Sequence, residues 1–233
     1  MAGRLSWSVS QAADRIGRSF LRAFFAQSTR PTYGHWASPW LLRACRFFIL
    51  YLDRYTSLRD VQVGPRPRLV AWTDAAGPTR TVACFLRLGA GVWRWTEWTA
   101  PAEVIARLLP RDDHQIQFLE MAGLVIMLFT FREYLPLTRL TAWQDNAAVL
   151  HATLNGGGRA AEVNVLVGGF WAEAARLRCD VALGRVESAA NVADGPTRGC
   201  YAWARKLNAV YVAPRVPPFL VDPWTHPLFE ADG

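Results

Sequence analysis

Apolar residues recur at helical spacing in roughly the first 60 positions of the chain. Between Gln11 and Ala26 they are three or four positions apart, and arginines occupy much of the polar side. A loop is expected over 28–38, and Pro39 then begins a second segment of the same kind, which runs to Leu52. The pattern predicts two amphipathic helices. Their wide apolar faces favour packing against a neighbouring layer, with attachment to a membrane surface as the alternative.

The pattern changes after Gly64-Pro65-Arg66-Pro67, which marks a domain boundary. Beyond this point short apolar runs alternate with longer helical segments. Five strands are predicted, over Arg68–Trp72, Val82–Leu88, Val92–Thr99, Leu137–Trp143 and Val181–Glu187. Helices are predicted from Asp112 to about Glu133, over Ala147–Leu154 and over Ala160–Arg178. This order predicts an α/β fold in which a five-stranded mixed sheet, with its first three strands antiparallel, is flanked by helices.

These boundaries divide the chain into four parts. They are a basic helical appendage (1–62), a linker (63–66), an α/β domain (67–199) and a C-terminal part (200–233) in which a helix precedes a proline-rich tail. The net charge is +7, and residues 1–66 account for all of it because they hold ten Arg against three Asp. A basic segment of this kind favours a polyanionic partner, either nucleic acid or an anionic membrane surface.

Several classes of protein are disfavoured by the sequence. It contains no uncharged apolar run of about 18 residues, which argues against an integral membrane protein. The cysteines are far apart, so we expect neither a disulfide scaffold nor a cysteine zinc site, and we expect an intracellular location, nuclear or cytoplasmic. The histidines share no metal-ligand spacing, and no Walker A, G-x-S-x-G or G-x-G-x-x-G motif occurs. We therefore expect neither zinc hydrolysis nor a small-molecule cofactor.

Four acidic residues stand at positions where a carboxylate is informative. Asp74 follows the first predicted strand, Asp145 follows the fourth, and Asp194 precedes a turn at Gly195-Pro196. Taken singly, each of these three is explained by a turn or a helix cap. Glu120 lies on an otherwise apolar helix, where a carboxylate either reaches solvent past small neighbours or is compensated by a cation.

Taken together, the four carboxylates have a further explanation. If the first and fourth strands are neighbours, the carboxylates meet at one edge of the sheet, where their repulsion favours hard cations between them. Two Mg²⁺ ions about 4 Å apart are a known device for in-line phosphodiester hydrolysis. The sequence therefore predicts a site for two ions of Mg²⁺ or Mn²⁺.

The carboxylates belong to short motifs that occur in a fixed order. The motifs are Thr73-Asp74-Ala75, Glu120, Asp145-Asn146 and the segment Asn191-Val192-Ala193-Asp194-Gly195-Pro196-Thr197-Arg198. Over about residues 67–199 they resemble the ribonuclease H domain of retrotransposon-type reverse transcriptase polyproteins. The resemblance implies a ribonuclease H-like fold whose catalytic, metal-binding residues are Asp74, Glu120, Asp145 and Asp194. The candidate contacts for nucleic acid are Asn146, Arg159 and Arg198.

The resemblance also implies an activity, which is endonucleolytic hydrolysis of the RNA strand of RNA–DNA hybrids to leave a 3′-hydroxyl and a 5′-phosphate. The polymerase palm of such polyproteins is missing, so the chain looks like a fragment or degenerate copy that is unable to polymerise. It departs from many relatives in having no histidine within Val181–Ala193 and no evident basic protrusion. Two alternatives stay open: a non-catalytic nucleic-acid-binding or connection-type module, and a nuclease of the same fold with a different substrate.

Overall fold

The computed structural model describes residues 17–29, 37–54, 65–108, 115–158 and 160–222. Within them, six strands form one mixed sheet in the order β5-β4-β1-β2-β3-β6. Their bounds are β1 Arg68–Ala76, β2 Thr81–Gly89, β3 Val92–Thr99, β4 Arg139–Gln144, β5 Asp180–Arg185 and β6 Val210–Tyr211. The chain is thus α/β with its first three strands antiparallel, as predicted. β4 lies parallel to β1, and β5 lies parallel to β4.

The prediction of five strands is wrong. β6 pairs in parallel with the free edge of β3, through Arg94 opposite Val210 and Trp95 opposite Tyr211. Its two residues are too few to produce an alternating pattern, so the strand could not be predicted from hydrophobic periodicity. The first strand is also longer than predicted, because β1 continues through Asp74 to Ala76.

Helices flank both faces of the sheet. Their bounds are α1 Arg18–Thr29, α2 Pro39–Arg54, α3 Ala102–Ala106, α4 Ile116–Thr130, α5 Ala147–Leu154, α6 Ala161–Arg176, α7 Asp194–Thr197, α8 Ala202–Lys206 and α9 Pro218–Val221. The cap predicted at Asp112 lies outside the described residues. α4 ends before Glu133, because the fully buried Phe131 leaves the helical conformation and the chain turns there. No helix in the described part of the chain is both long and apolar enough to span a bilayer.

The main hydrophobic core lies on one face of the sheet. α4 packs across β1 and β2, α6 packs on α4, α1 packs on α6, and α2 packs on α1. Residues of α1 and α2 belong to the same core, where the rings of Phe20 and Phe47 stack at 4.2 Å between centroids. α7 contacts β1 and β2 from the opposite face, where a smaller cluster forms around Phe85 and Ala193.

The glycine run before α6 receives α1. Gly156 has a φ of +71°, and a Cβ there would lie 2.6 Å from the Cβ of Arg18. Arg22 donates from Nη1 to the carbonyl oxygen of Gly158 at 2.9 Å. The absence of side chains at these positions therefore lets two arginines of the helical appendage lie against the loop.

Candidate metal centre

The predicted carboxylates approach each other where β1 extends beyond β4. The two strands pair as far as Trp72 opposite Trp143, and β1 then continues with only β2 as a partner. β4 ends at Gln144, and the chain bends at Asp145. One side of β1 is therefore open beside Asp74, and Asp145 lies at this opening.

Glu120 reaches the same opening from α4. A Cβ at Gly123, one helical turn later, would lie 3.2 Å from Val82 Cγ1 and 3.5 Å from Thr73 Cβ. The glycine thus allows α4 to approach β1 and β2 closely. The backbone of Ala75 on β1 acts on the Glu120 carboxyl group by lowering its pKa.

Three of the four predicted carboxylates form a cluster. Oxygen atoms of Asp74, Glu120 and Asp145 all lie within 4.8 Å of one another. Asp74 and Glu120 are each 4% exposed, and Asp145 is half-buried. Clustered carboxylate oxygens are the ligands that hard divalent cations prefer, so this centre can hold a metal ion.

Burial disfavours the ionised forms of the two inner carboxylates. Desolvation raises the pKa of Asp74 to about 7, opposed by a hydrogen bond from Thr197 and reinforced by the charges of Asp145 and Asp194. Desolvation, reinforced by the charges of Asp74 and Asp145, raises the pKa of Glu120 to about 9. A divalent cation would compensate these negative charges and lower both pKa values. The donor set and its electrostatics therefore fit a hard cation.

Gln144 holds the Glu120 side chain. It is fully buried, donates from Nε2 to Glu120 Oε2 at 3.1 Å, and accepts at Oε1 from the Thr73 hydroxyl at 2.9 Å. These bonds link β1, β4 and α4 directly behind the cluster. The sequence analysis missed Gln144. The alternation of buried residues along β4 could have identified it. Leu140 and Ala142, four and two residues earlier, lie on the same buried face of the strand as Gln144.

Two residues of the last motif hold Asp74. Asn191 donates from Nδ2 to the Thr73 carbonyl oxygen at 3.0 Å and, more weakly, to Asp74 Oδ1 at 3.4 Å. The Thr197 hydroxyl lies 2.9 Å from Asp74 Oδ2 and 2.8 Å from the carbonyl oxygen of Asp194. Its single hydrogen serves one of these acceptors at a time. The sequence motif from Asn191 to Arg198 includes both residues, but neither was predicted to belong to the site.

Asp194 lies near the cluster but is not one of its three members. It begins α7, and its charge contributes to the raised pKa of Asp74. Its Oδ1 accepts hydrogen bonds from Arg198, at 2.8 Å from Nη2 and 3.0 Å from Nε. The Asp194 carboxylate therefore forms an ion pair with Arg198, the residue that follows α7. Its assignment as a fourth metal ligand stays a prediction, as does the assignment of Arg198 to nucleic acid.

The structure gives Asn146 and Asp145 separate roles at the start of α5. Asn146 is the N-cap, since its Oδ1 accepts from the backbone nitrogens of Ala148 and Val149, each at 3.1 Å. Asp145 instead accepts from the Ser188 hydroxyl at 2.8 Å. The contact of Asn146 with nucleic acid stays a prediction. Arg159 lies outside the described residues.

No protein-family model matches the sequence, and no curated protein matches it. The fold and the cluster together define an α/β protein with an acidic centre suited to a divalent cation.

Proposed function

We propose that the chain is a divalent-metal-dependent nuclease with a ribonuclease H-like domain that hydrolyses the RNA strand of RNA–DNA hybrids. One observation carries the proposal: carboxylates from β1, α4 and the end of β4 converge within 4.8 Å although two of them are buried. The mixed sheet with β4 parallel to β1 supports it, because this pairing brings Asp74 and Asp145 to one edge. The order of the sequence motifs supplies the substrate class.

The residues that would hold Mg²⁺ or Mn²⁺ are Asp74, Glu120 and Asp145. In the two-ion form of the proposal, Asp194 would hold the second ion in place of its ion pair with Arg198. Bound cations supply activation of a water molecule and stabilisation of the leaving oxygen.

The protein itself contributes orientation. Gln144 fixes the rotamer of Glu120, and Asn191 and Thr197 fix that of Asp74. Such partners of ligating side chains normally determine how well a metal site works. Arg198, with a side chain 70% exposed, stands at the rim as the group that would meet a phosphate.

The test is cleavage of an end-labelled RNA–DNA hybrid by purified protein with Mg²⁺ or Mn²⁺. Single-stranded RNA, duplex DNA and branched DNA are run beside it to separate substrate classes. We expect cleavage of the RNA strand of the hybrid and loss of at least roughly 100-fold in rate in Asp74→Asn and in Asp145→Asn. Asp180→Asn, which changes a half-exposed carboxylate of β5, is the matched control and retains activity. Absence of cleavage contradicts the proposal, and absence of Mn²⁺ binding as well contradicts the metal centre on which it depends.

The ion pair between Asp194 and Arg198 favours a second candidate, a non-catalytic nucleic-acid-binding module. In that case only three carboxylates remain to hold cations. Hybrid binding that persists in Asp74→Asn and Asp145→Asn, with cleavage never seen in the wild type, would identify this candidate.

A further inference from the structure

An aromatic hollow lies beside the outer strands of the sheet. The ring of Trp95 on β3 lies 5.5 Å from the ring of Tyr201 and 5.1 Å from that of Tyr211, measured between centroids. The hollow has a volume of about 400 Å³. Its lining consists of Trp95, Tyr201, Ala204, Arg205, Asn208 and Ala209. Most of it comes from the chain after residue 199, which the proposed function does not use.

The strand registers place this aromatic hollow near the acidic centre. Trp72 lies two residues before Asp74 on β1 and pairs with Phe85 on β2. Phe85 in turn pairs with Trp95 on β3. Side chains two residues apart share a face, so Trp95 and Asp74 belong to the same face of the sheet. Two strand spacings and one two-residue step separate their α-carbons by roughly 12 Å. This distance corresponds to the axial rise of roughly three to four base pairs of a duplex.

The exposed groups at the hollow suit a nucleic-acid strand. The Tyr211 side chain is 49% exposed, and Arg205 and Lys206 are exposed at the end of α8. Neither cation forms an ion pair with any residue in the described ranges. The nearby carboxylate of Glu97 accepts a hydrogen bond from the Tyr201 hydroxyl at 3.3 Å. Aromatic rings beside unpaired arginine are typical of surfaces that stack bases and contact phosphates.

We propose that the aromatic hollow binds unpaired bases of a strand that extends from the cleaved hybrid. A base stacks at the margin of the hollow on Tyr211, whose ring adjoins the lining residue Trp95, and Arg205 meets an adjacent phosphate. The choice of nucleic acid as the ligand rests on the proposed function, whereas the hollow itself can be tested without any cleavage.

The experiment measures binding by fluorescence anisotropy in EDTA with two labelled probes. One is a blunt RNA–DNA hybrid, and the other is the same hybrid with a six-nucleotide single-stranded extension. In the wild type we expect the extension to raise affinity roughly tenfold, a gain typical of base stacking on aromatic side chains. Tyr211→Ala removes the gain, and Tyr211→Phe keeps it because the ring remains.

Two further variants, each of which removes one positive charge, test the hollow even if Tyr211→Ala fails to fold. Arg205→Gln reduces the gain and weakens its dependence on salt. Arg46→Gln removes the same charge from α2, in the helical layer on the other face, and leaves the gain unchanged. An extension that gives no gain in the wild type, or a gain that survives both Tyr211→Ala and Arg205→Gln, overturns the proposal.

Two further outcomes are distinguishable. If a proline-rich peptide binds the wild type but not Tyr211→Ala, and the extension gives no gain, the hollow is a peptide site and the proposal is wrong. Because both probes are measured without metal, absence of cleavage with an intact gain contradicts the proposed function alone. Cleavage without a gain contradicts only the role of the hollow.

Discussion

At the scale of single residues, Asp74 and Glu120 are buried next to each other, and burial favours the protonated form of each carboxyl group over its ionised form. The pKa of Asp74 is raised to about 7 and that of Glu120 to about 9, in both cases chiefly by desolvation. A group whose pKa is higher in the folded state binds more protons there than in the unfolded chain. Stability therefore falls as pH rises between the two pKa values.

Asp74→Asn is expected to stabilise the metal-free protein. For Asp74 the loss of stability runs from about pH 4, near its ordinary pKa of 3.8, to about pH 7. The difference between these two pKa values limits the gain in the free energy of unfolding to about 4 kcal/mol. Relaxation around the site reduces the expected gain to roughly 2 kcal/mol. Urea unfolding at pH 8 in EDTA measures the gain, and Asp180→Asn is the control. A variant less stable than the wild type at pH 8 contradicts the raised pKa.

Binding of Mn²⁺ is expected to strengthen with pH because the cation displaces the protons of Asp74 and Glu120. Below pH 7 each displaced proton weakens the apparent affinity by about tenfold per pH unit. Titration calorimetry in two buffers of different ionisation enthalpy measures both the affinity and the released protons. An affinity that is constant between pH 6 and pH 8, with no proton release, would show that these carboxylates are not the ligands.

Gln144→Leu is expected to weaken the centre without removing a ligand. Mn²⁺ affinity or cleavage falls by about 10-fold to 100-fold, the usual cost of losing a partner of a ligating side chain. Because the Gln144 bond lowers the pKa of Glu120, its loss also shifts the pH profile of Mn²⁺ binding upward. Gln117→Leu on α4 is the control. A weaker affinity with an unshifted pH profile indicates only a packing role for Gln144.

At the scale of elements, close approach between layers depends on glycines at the contacts. On α6, a Cβ added to Gly168 would overlap the Phe20 ring of α1. On α4, Gly123 allows the approach to β1 and β2 that brings Glu120 to the cluster. The appendage and the carboxylates are thus positioned by the same device.

Gly168→Ala is expected to destabilise the fold by about 1–3 kcal/mol, because the rigid ring of Phe20 has to move. In the Phe20→Leu background the same Gly168→Ala change costs less, since the smaller side chain leaves room for the new methyl group. Chemical unfolding measures both, with Gly89→Ala as the control because a Cβ there meets nothing within 4 Å. If Gly168→Ala costs as much in the Phe20→Leu background as in the wild type, the contact is contradicted.

Elements with a strong local pattern were predicted well. α5 has the predicted bounds, and the glycine pair at Gly89 and Gly91 correctly indicated the turn between β2 and β3. The end of α4 was missed because nearly all its residues are buried, so no polar periodicity marks where it stops. β6 was missed because its pairing with β3 is a tertiary contact of two residues.

The candidate site was predictable only where its residues have a local sequence signal. A carboxylate at a strand end or on an apolar helix is visible in the sequence, and three of the four predicted ones do meet. The partners Gln144 and Thr197 act across elements distant in the chain, so their contacts follow only from the fold. The pairing of Asp194 with Arg198 was local but was interpreted only as part of a motif.

At the scale of the whole molecule, the basic excess near the start of the chain is partly used within the fold. Arg18 and Arg22 lie against the glycine loop, and Arg43 is buried on α2. Desolvation lowers the pKa of Arg43 to about 10, opposed by the charge of Asp222. Arg18 and Arg22 remain exposed in this position, so of these three arginines only the buried Arg43 is withheld from the positive surface that the net charge of +7 suggests.

The molecule as a whole holds an acidic centre where the carboxyl ends of β1 and β4 lie side by side, with the exposed Arg198 nearby. The most direct measurement is a titration of Mn²⁺ into the wild type, followed by electron paramagnetic resonance. We predict saturable binding of one or two ions, lost in Asp74→Asn and in Asp145→Asn and retained in Asp180→Asn. No saturable binding in the wild type, or binding that survives both substitutions in the cluster, would contradict the account.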